Sequence, residues 1–148
     1  MRLSRHTDYA LRVLIHLTAH DGRPSSIAQI SRAYGISENH LMKVVHMLGR
    51  AGFIVTMRGR GGGIRLARPP EEIGVGAVVR HGEAGLDLAD CPSCIIAPAC
   101  GLSGVLAEAM AAFLAVLDGY SIADVTIRRE MLAQLLGIAP ADASALPA

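Results

Sequence analysis

The 148-residue chain has no tryptophan, and phenylalanine and tyrosine bring its aromatic content to only 3%. Apolar residues make up 51%, so a core of Leu, Ile, Val and Ala on helices is expected. No apolar run reaches the roughly 18–20 residues that a membrane-spanning helix requires. The start of the chain is polar and has no secretory apolar region. The sequence therefore predicts a cytoplasmic protein without a membrane partner.

Cysteine is also scarce, and its three copies, Cys91, Cys94 and Cys100, all fall within ten residues. An odd number of thiols in a reducing compartment argues against a structural disulfide. Clustered intracellular thiols instead indicate a bound metal or redox chemistry.

The net charge of +1 conceals a strong asymmetry along the chain. Residues 1–80 contain twelve Lys or Arg and five acids, a balance of +7, whereas residues 81–148 contain two basic and eight acidic residues, a balance of −6. A basic half joined to an acidic half is typical of a nucleic-acid-binding module attached to an assembly or sensing module. Ordinary surface variation is the alternative.

Hydrophobic periodicity predicts four helices in the basic half, the first from about Thr7, as its N-cap, to His20, and a short fourth from Ile73 to about His81. The second begins at about Ser26, and Ser37 caps the third after a turn at Gly35. Two short helices joined by a glycine-containing turn are typical of a helix-turn-helix, whose second helix enters the major groove of DNA. Its outward face offers these candidate DNA contacts: Ser37, Asn39, His40 and Lys43.

A β-hairpin is predicted directly after the third helix, which makes the module a winged helix. Residues 53–57 and 64–66 have strand character, and residues 58–63 form a glycine-rich turn. Arginines at such a tip suit a narrow minor groove, and the candidate contacts are Arg58, Gly59, Arg60 and Arg65. A solvated hairpin turn is the alternative. A dinucleotide site is not expected, because no helix follows the glycines to receive a pyrophosphate.

The helical pattern fails from Gly82 to Cys100, and this long loop carries every cysteine in the spacing C-x2-C-x5-C. A loop of this length is usually functional or disordered. Three thiolates on a proline-containing loop fit an iron–sulfur cluster, and zinc would accept them with a fourth ligand. Direct thiol oxidation is a further alternative. A thioredoxin-like enzyme is not expected, because the motif would need a βαβ pattern.

A long helix is predicted after the loop, with apolar residues at steps of 4, 3, 4, 3 and 4. This spacing suits packing along another helix, and we expect a homodimer contact through Leu102, Leu106, Ala109, Phe113, Val116 and Tyr120. Burial against its own subunit is the alternative. Ser121 begins a capping box for a last helix to about Leu136.

The predicted fold class is mainly α with a small β-hairpin wing: a winged helix-turn-helix plus a long C-terminal dimerisation helix. We expect a DNA-binding domain over residues 1–81 and a cysteine-rich cluster-binding loop over 82–101. The dimerisation and final helices would occupy 102–136, and residues 137–148 would form a flexible tail.

Several long segments also carry a family resemblance. They are LSRHTDYALR at residues 3–12, ISENHLMKV at 36–44, RAGF at 50–53, RGRGGGIRL at 58–66, the cysteine loop, and FLAVLDGYSIAD at 113–124. In these segments, over roughly residues 1–126, the chain resembles the nitric-oxide-sensing NsrR branch of the IscR-type iron–sulfur winged-helix regulators.

The resemblance implies a [4Fe-4S] cluster on the three cysteines, with Asp8 from the other subunit's first helix as fourth ligand. Without the resemblance, Asp8 is a first-turn acid that complements a helix dipole. A [2Fe-2S] cluster is the alternative, but IscR-type relatives that carry one have a histidine three residues after the last cysteine, where this chain has Ser103.

The resemblance further implies a repressor, and not an enzyme, that binds a near-palindromic double-stranded DNA operator as a homodimer. Nitric oxide would be the effector, and its reaction with the cluster would release nitric-oxide detoxification genes. A winged-helix regulator that senses zinc, iron status or thiol oxidation through the same cysteines is the alternative.

Overall fold

The computed structural model describes residues 2–140, which form seven α-helices and one two-stranded antiparallel hairpin. The helices and strands are α1 (Arg5–Ala19), α2 (Ile27–Tyr34), α3 (Glu38–Arg50), β1 (Ile54–Met57), β2 (Gly63–Leu66), α4 (Val75–Gly82), α5 (Leu102–Asp118), α6 (Ile122–Val125) and α7 (Arg129–Leu135), with 3-10 helices at Pro70–Glu72 and Ala97–Ala99. The predicted mainly α fold with a β-hairpin wing is confirmed. No helix in this part of the chain is long and apolar enough to cross a bilayer. Residues 141–148 of the predicted tail lie outside the described residues.

The first helix begins earlier than the sequence pattern predicts. Ser4 is its N-cap and accepts a hydrogen bond from the backbone N–H of Thr7 at 3.2 Å, so the prediction of Thr7 as the cap is wrong. Thr7 lies inside the helix, buried, with its hydroxyl 3.0 Å from Ser4 Oγ. Serine and threonine are both good capping residues, so residue type alone could not decide between them. The predicted caps Ser26 and Ser37 are confirmed by their bonds to backbone N–H groups of α2 and α3.

Helix α1 forms the centre of the molecule and contacts α3, α4, α6, α7 and β2. Its inner face consists of apolar side chains at helical spacing, and the neighbouring helices contribute one contiguous core. The fully buried members of this core are Ala10, Val13, Leu14, Ile30, Leu41, Leu48, Ile73, Val78 and Ile122. Packed interiors transmit small displacements. A shift of α1 would therefore displace both α3, the second helix of the helix-turn-helix and here called the recognition helix, and the wing.

The wing is a short hairpin that is anchored only at its base. Strand β1 pairs with β2 in the register Ile54↔Leu66 to Met57↔Gly63. Ile54 and Ile64 are buried, whereas the tip is exposed. Gly59 has a φ of 98°, a left-handed conformation that glycine adopts at no steric cost.

The predicted last helix is interrupted, so its prediction as one element is wrong. The capping box of Ser121 and Asp124 is present as expected, but α6 ends after a single turn. The reason is Thr126, whose hydroxyl donates to the carbonyl of Ile122 at 2.8 Å and is buried there. A threonine that bonds back to its own helix competes with continued helical pairing. Helix α7 then starts afresh and packs on α1.

Helix α5 packs on α4 and on the cysteine loop, yet none of its residues is fully buried in the single chain. The predicted dimer seam is divided between two sides. Leu106 and Phe113 are half-buried against their own subunit. The other four seam residues, Leu102, Ala109, Val116 and Tyr120, are exposed, and Val116 has 64% of its surface accessible.

Candidate DNA-binding face and metal centre

The start of α3 presents the polar surface that the sequence predicts. Ser37, Asn39, His40 and Lys43 are all exposed, because the residues at helical spacing between and after them are committed to the core: Leu41, Val44, Val45 and Leu48. Backbone and side-chain donors at the start of a helix suit DNA phosphates and base edges.

Met42 is not among the predicted contacts, but its side chain is 51% exposed in the middle of this surface. A flexible apolar side chain there can contact a thymine methyl group. The signal in the sequence was a methionine lying off the buried stripe of α3.

The wing carries the predicted cationic side chains, Arg58 and Arg60 in the turn and Arg65 on β2. Arg58, Gly59, Arg60 and Arg65 are exposed, and among residues 2–140 no acidic side chain pairs with the three arginines. Their charge is therefore free to meet an anionic partner. The start of α3 and the wing each expose cationic side chains, Lys43 on the helix and the three arginines on the hairpin.

The cysteine loop is wound into successive tight turns. Cys94 N donates to Cys91 O at 3.1 Å, Ala97 N to Cys94 O at 3.1 Å, and Cys100 N to Ala97 O at 3.3 Å. Cys91 lines, with Leu86, Leu88 and residues of α5, a cavity of about 510 Å³, which places this end of the loop against α5. The thiols therefore occupy one compact segment next to the predicted dimerisation helix.

The chemistry of the three thiols fits a soft metal or an iron–sulfur cluster. All three are free; Cys91 and Cys100 are half-buried and Cys94 is exposed. Within residues 2–140, however, no three His, Cys, Asp or Glu side chains lie close enough to hold one metal ion. The three cysteines lie in one segment, but their thiols do not point to a common centre. Binding of a metal or cluster would require the loop to bring the three sulfur atoms closer together.

Asp8 is not grouped with the cysteines of its own chain. Its carboxylate is instead paired with Arg12 one turn along α1, at 3.0 Å from Arg12 Nε to Oδ1 and 2.9 Å from the terminal nitrogen to Oδ2. The guanidinium also lies over the ring of Tyr34, 5.9 Å from its centroid. The Asp8 side chain is half-exposed, and its ligand role across a dimer stays a prediction.

Glu83, at the start of the cysteine loop, is tied to the start of α1. Its Oε1 accepts a hydrogen bond from the backbone N–H of Ser4 at 2.8 Å. Hydrogen bonds from the Thr7 side chain and from Ser4 lower the pKa of the Glu83 carboxyl. The neighbouring Gly82 packs so closely on α1 that a Cβ there would lie 2.4 Å from Thr7 Oγ1. The sequence pattern held no signal for this contact, since the partners are almost eighty residues apart.

The other side of the same helix touches the recognition helix. The ring of Tyr9, next to Asp8, lies 6.2 Å from the ring of His40 at a tilt of 42°. Helix α1 therefore contacts a candidate DNA-binding residue and the base of the cysteine loop within its first two turns.

Comparisons with known proteins agree with this architecture. The family described as "Rrf2: Iron-dependent Transcriptional regulator" matches residues 3–128. The HTH-type transcriptional regulator NsrR of Bacillus subtilis is 49% identical over 142 residues, covering 92% of this chain and 97% of the relative. NsrR of Geobacillus kaustophilus is 48% identical, with the same shares covered.

Solved structures show the same fold. The structure of T. potens IscR has a TM-score of 0.73 at 26% identity, over 88% of this chain and 90% of that one. The oxidized form of Staphylococcus aureus CymR has a TM-score of 0.71 at 26% identity, over 85% and 96%. The resemblance noted in the sequence is confirmed. The chain belongs to the Rrf2 family of winged-helix transcriptional regulators, which are DNA-binding proteins and not enzymes.

Proposed function

We propose that the chain is a homodimeric repressor whose affinity for its operator is controlled by an iron–sulfur cluster that reacts with nitric oxide. Cys91, Cys94 and Cys100 would hold the cluster, and Asp8 from the other subunit would complete it. The observation that carries the proposal is that α1 joins the base of the cysteine loop, through Ser4 and Glu83, to the recognition helix, through Tyr9 and His40.

The first step concerns the loop. When bound, the cluster would supply a centre that reacts with nitric oxide, and holding it would require the three thiols to be drawn together. Glu83, at the start of this loop, forms hydrogen bonds with Ser4 and Thr7 at the beginning of α1. A change in loop tension is therefore passed to the first turn of α1.

The second step concerns α1. Asp8 and Tyr9 are consecutive residues of this helix. A displacement of the Asp8 carboxylate would therefore also move the Tyr9 ring, which contacts His40. Arg12 now occupies both Asp8 oxygens and competes with any other partner of that carboxylate. The energetic demand is modest, because a coupling of about 1–3 kcal/mol changes affinity roughly 5- to 150-fold.

The exposed apolar surface supports a dimer. One stripe of the exposed surface of α5 is apolar, with Leu102, Val105 and Val116 each more than half exposed, and Ile95, between the second and third cysteines, is 95% exposed. Exposed apolar patches of this kind are typical of interaction sites. A two-fold dimer would set two recognition helices at the spacing of a near-palindromic operator.

The proposed cluster type is [4Fe-4S]. The [2Fe-2S] relatives have histidine at the position of Ser103. Ser103 lines the cavity between the loop and α5. A serine there leaves the three thiols and a carboxylate as the available donors.

The test is the iron and acid-labile sulfide per chain after anaerobic purification, followed by operator binding before and after titration with nitric oxide. We expect about four irons per chain for [4Fe-4S], tight operator binding, and its loss on titration. Cys94→Ser is expected to lose the iron chromophore, whereas Ser93→Ala, its neighbour in the loop, keeps it. A colourless protein with one zinc per chain, or operator binding that ignores nitric oxide, would refute the proposal in favour of zinc or thiol sensing.

A further inference from the structure

A hydrogen-bonded cluster, formed by the buried His16 and Ser25 and the exposed Gln29, lies where α1, α2 and the wing meet. His16 is only 2% exposed and Ser25 is fully buried. His16 Nε2 lies 3.0 Å from Ser25 Oγ, and the Ser25 hydroxyl lies 3.3 Å from Gln29 Oε1. We call these three residues the His16 cluster.

The direction of each hydrogen bond in the His16 cluster follows from its neighbours. The backbone N–H of Ser26 donates to Gln29 Oε1 at 2.8 Å, so that atom is the amide oxygen and only accepts. The Ser25 hydroxyl must therefore donate its one proton to Gln29. Ser25 Oγ is then free only to accept from His16, which carries its proton on Nε2.

Burial keeps His16 in this neutral form. Desolvation, followed by the charge of the nearby His20, lowers the pKa of His16 to about 4. The rings of His20 and Tyr34 lie 5.4 Å and 6.2 Å away. The second ring nitrogen, Nδ1, has no hydrogen-bond partner in the described chain. Within residues 2–140, the imidazole therefore makes one hydrogen bond, to Ser25.

The backbone of Ser25 holds the root of the wing. Ser25 N donates to Ile64 O at 2.9 Å and Ile64 N donates to Ser25 O at 2.8 Å, so Ser25 adds a single-residue third strand beside β2. Gly63 permits this approach, because a Cβ there would lie 2.7 Å from Ser25 O. One residue thus joins the wing by its backbone and α1 by its side chain.

We propose that His16, acting through Ser25, is a positioning residue for the wing: the cluster sets the angle at which β2 leaves the helix-turn-helix and so where Arg58 meets DNA. The inference rests on the proposed contact of the wing with the operator. It adds a link from α1 to the second DNA-reading element, separate from the contact of Tyr9 with the recognition helix.

A double-mutant cycle on the anaerobically purified full-length protein tests this. Operator affinity is measured for Ser25→Ala, Arg58→Ala and the double variant, and Lys43→Ala on α3 serves as the control in both backgrounds. Ser25→Ala removes the hydroxyl and leaves the backbone pairing with Ile64. We expect Arg58→Ala to weaken binding about tenfold in the native background and less than about threefold beside Ser25→Ala. The loss from Lys43→Ala is expected to be equal in both.

The outcomes separate the two ideas. An equal loss from Arg58→Ala in both backgrounds overturns the positioning role while leaving the wing contact intact. No loss from Arg58→Ala in the native background refutes the wing contact, and the positioning role with it. Should Ser25→Ala fail to fold, His16→Gln and His16→Phe replace it. Glutamine keeps a donor near the Nε2 position and is expected to preserve the native response to Arg58→Ala, whereas phenylalanine is expected to reduce it.

Discussion

Lowering the pH from 7 to 5 is expected to destabilise the folded chain through His16. The imidazole is buried, and its desolvation lowers its pKa from the ordinary value of 6.5 to about 4. A base whose pKa is lowered by folding contributes no destabilisation above pH 6.5, because it is neutral in both states. Below pH 6.5 the unfolded chain binds a proton that folded His16 does not, so stability falls with pH down to about 4.

The magnitude follows from those two pKa values. Between pH 7 and pH 5, preferential protonation of the unfolded state removes about 2 kcal/mol from the free energy of unfolding. That is a large share of the roughly 5–15 kcal/mol by which domains are stable. His20, whose pKa is lowered mainly by burial, acts in the same direction. Glu83, Asp118 and Asp124 have lowered pKa values and lose their contributions at more acidic pH, outside this window.

The assay is urea unfolding of the native chain and of His16→Gln at pH 7, 6 and 5, at one fixed protein concentration. Glutamine cannot titrate and retains a donor for Ser25, so the variant isolates the protonation of position 16. We expect the native chain to lose about 2 kcal/mol more than the variant over this range. Equal losses of stability for the two proteins would show that His16 takes up a proton as easily in the folded chain as in the unfolded one, and would contradict this prediction.

Three further predictions concern the DNA face, the dimer and the candidate ligand. Arg58→Ala is expected to lower the slope of operator affinity against salt by about one counterion if the side chain contacts a phosphate; an unchanged slope and affinity would remove the wing from the interface. Val116→Glu is expected to shift the proposed dimer toward monomer in analytical ultracentrifugation, because it places a charge on the apolar stripe of α5. The control is Ala115→Glu, at an exposed position two turns from Glu108, which is expected to leave the monomer–dimer equilibrium unchanged. An equal effect of both would place the interface elsewhere. Asp8→Ala is expected to speed loss of the iron chromophore in oxygen, while Arg12→Gln, which removes the ion pair but keeps the carboxylate, is not; equal rates would restore Asp8 to a helix-terminus role.

Much of the winged helix could be predicted because its signals are local. Ser26 and Ser37 cap α2 and α3 as the pattern predicts, since each is followed by an apolar stripe of helical spacing. The prediction of Thr7 as the N-cap was wrong because serine and threonine both cap helices, and the contact of Ser4 with Glu83 has no signal in the local sequence. The break at Thr126 was missed for a similar reason: the burial of this side chain and its bond back to Ile122 O depend on the tertiary fold.

The candidate site divides in the same way. The exposed face of α3 and the wing arginines follow from periodicity and from turn chemistry, so the sequence locates them. The contacts that join these residues to the rest of the molecule cannot be located from the sequence. Ser4 contacts Glu83, and Ser25 contacts Ile64, only through the tertiary fold. No residue-type pattern identifies such partners along the chain.

The arrangement around α1 explains why a regulator of this kind would place its sensing chemistry on a loop far from DNA. A single 15-residue helix contacts the loop base, the recognition helix and, through the His16 cluster, the wing root. A small displacement at the start of α1 would therefore reach both α3 and the wing. DNA binding requires both elements to be correctly placed at the same time. In the proposed dimer that displacement would act on two half-sites at once, and a modest coupling in each subunit would contribute twice to operator affinity.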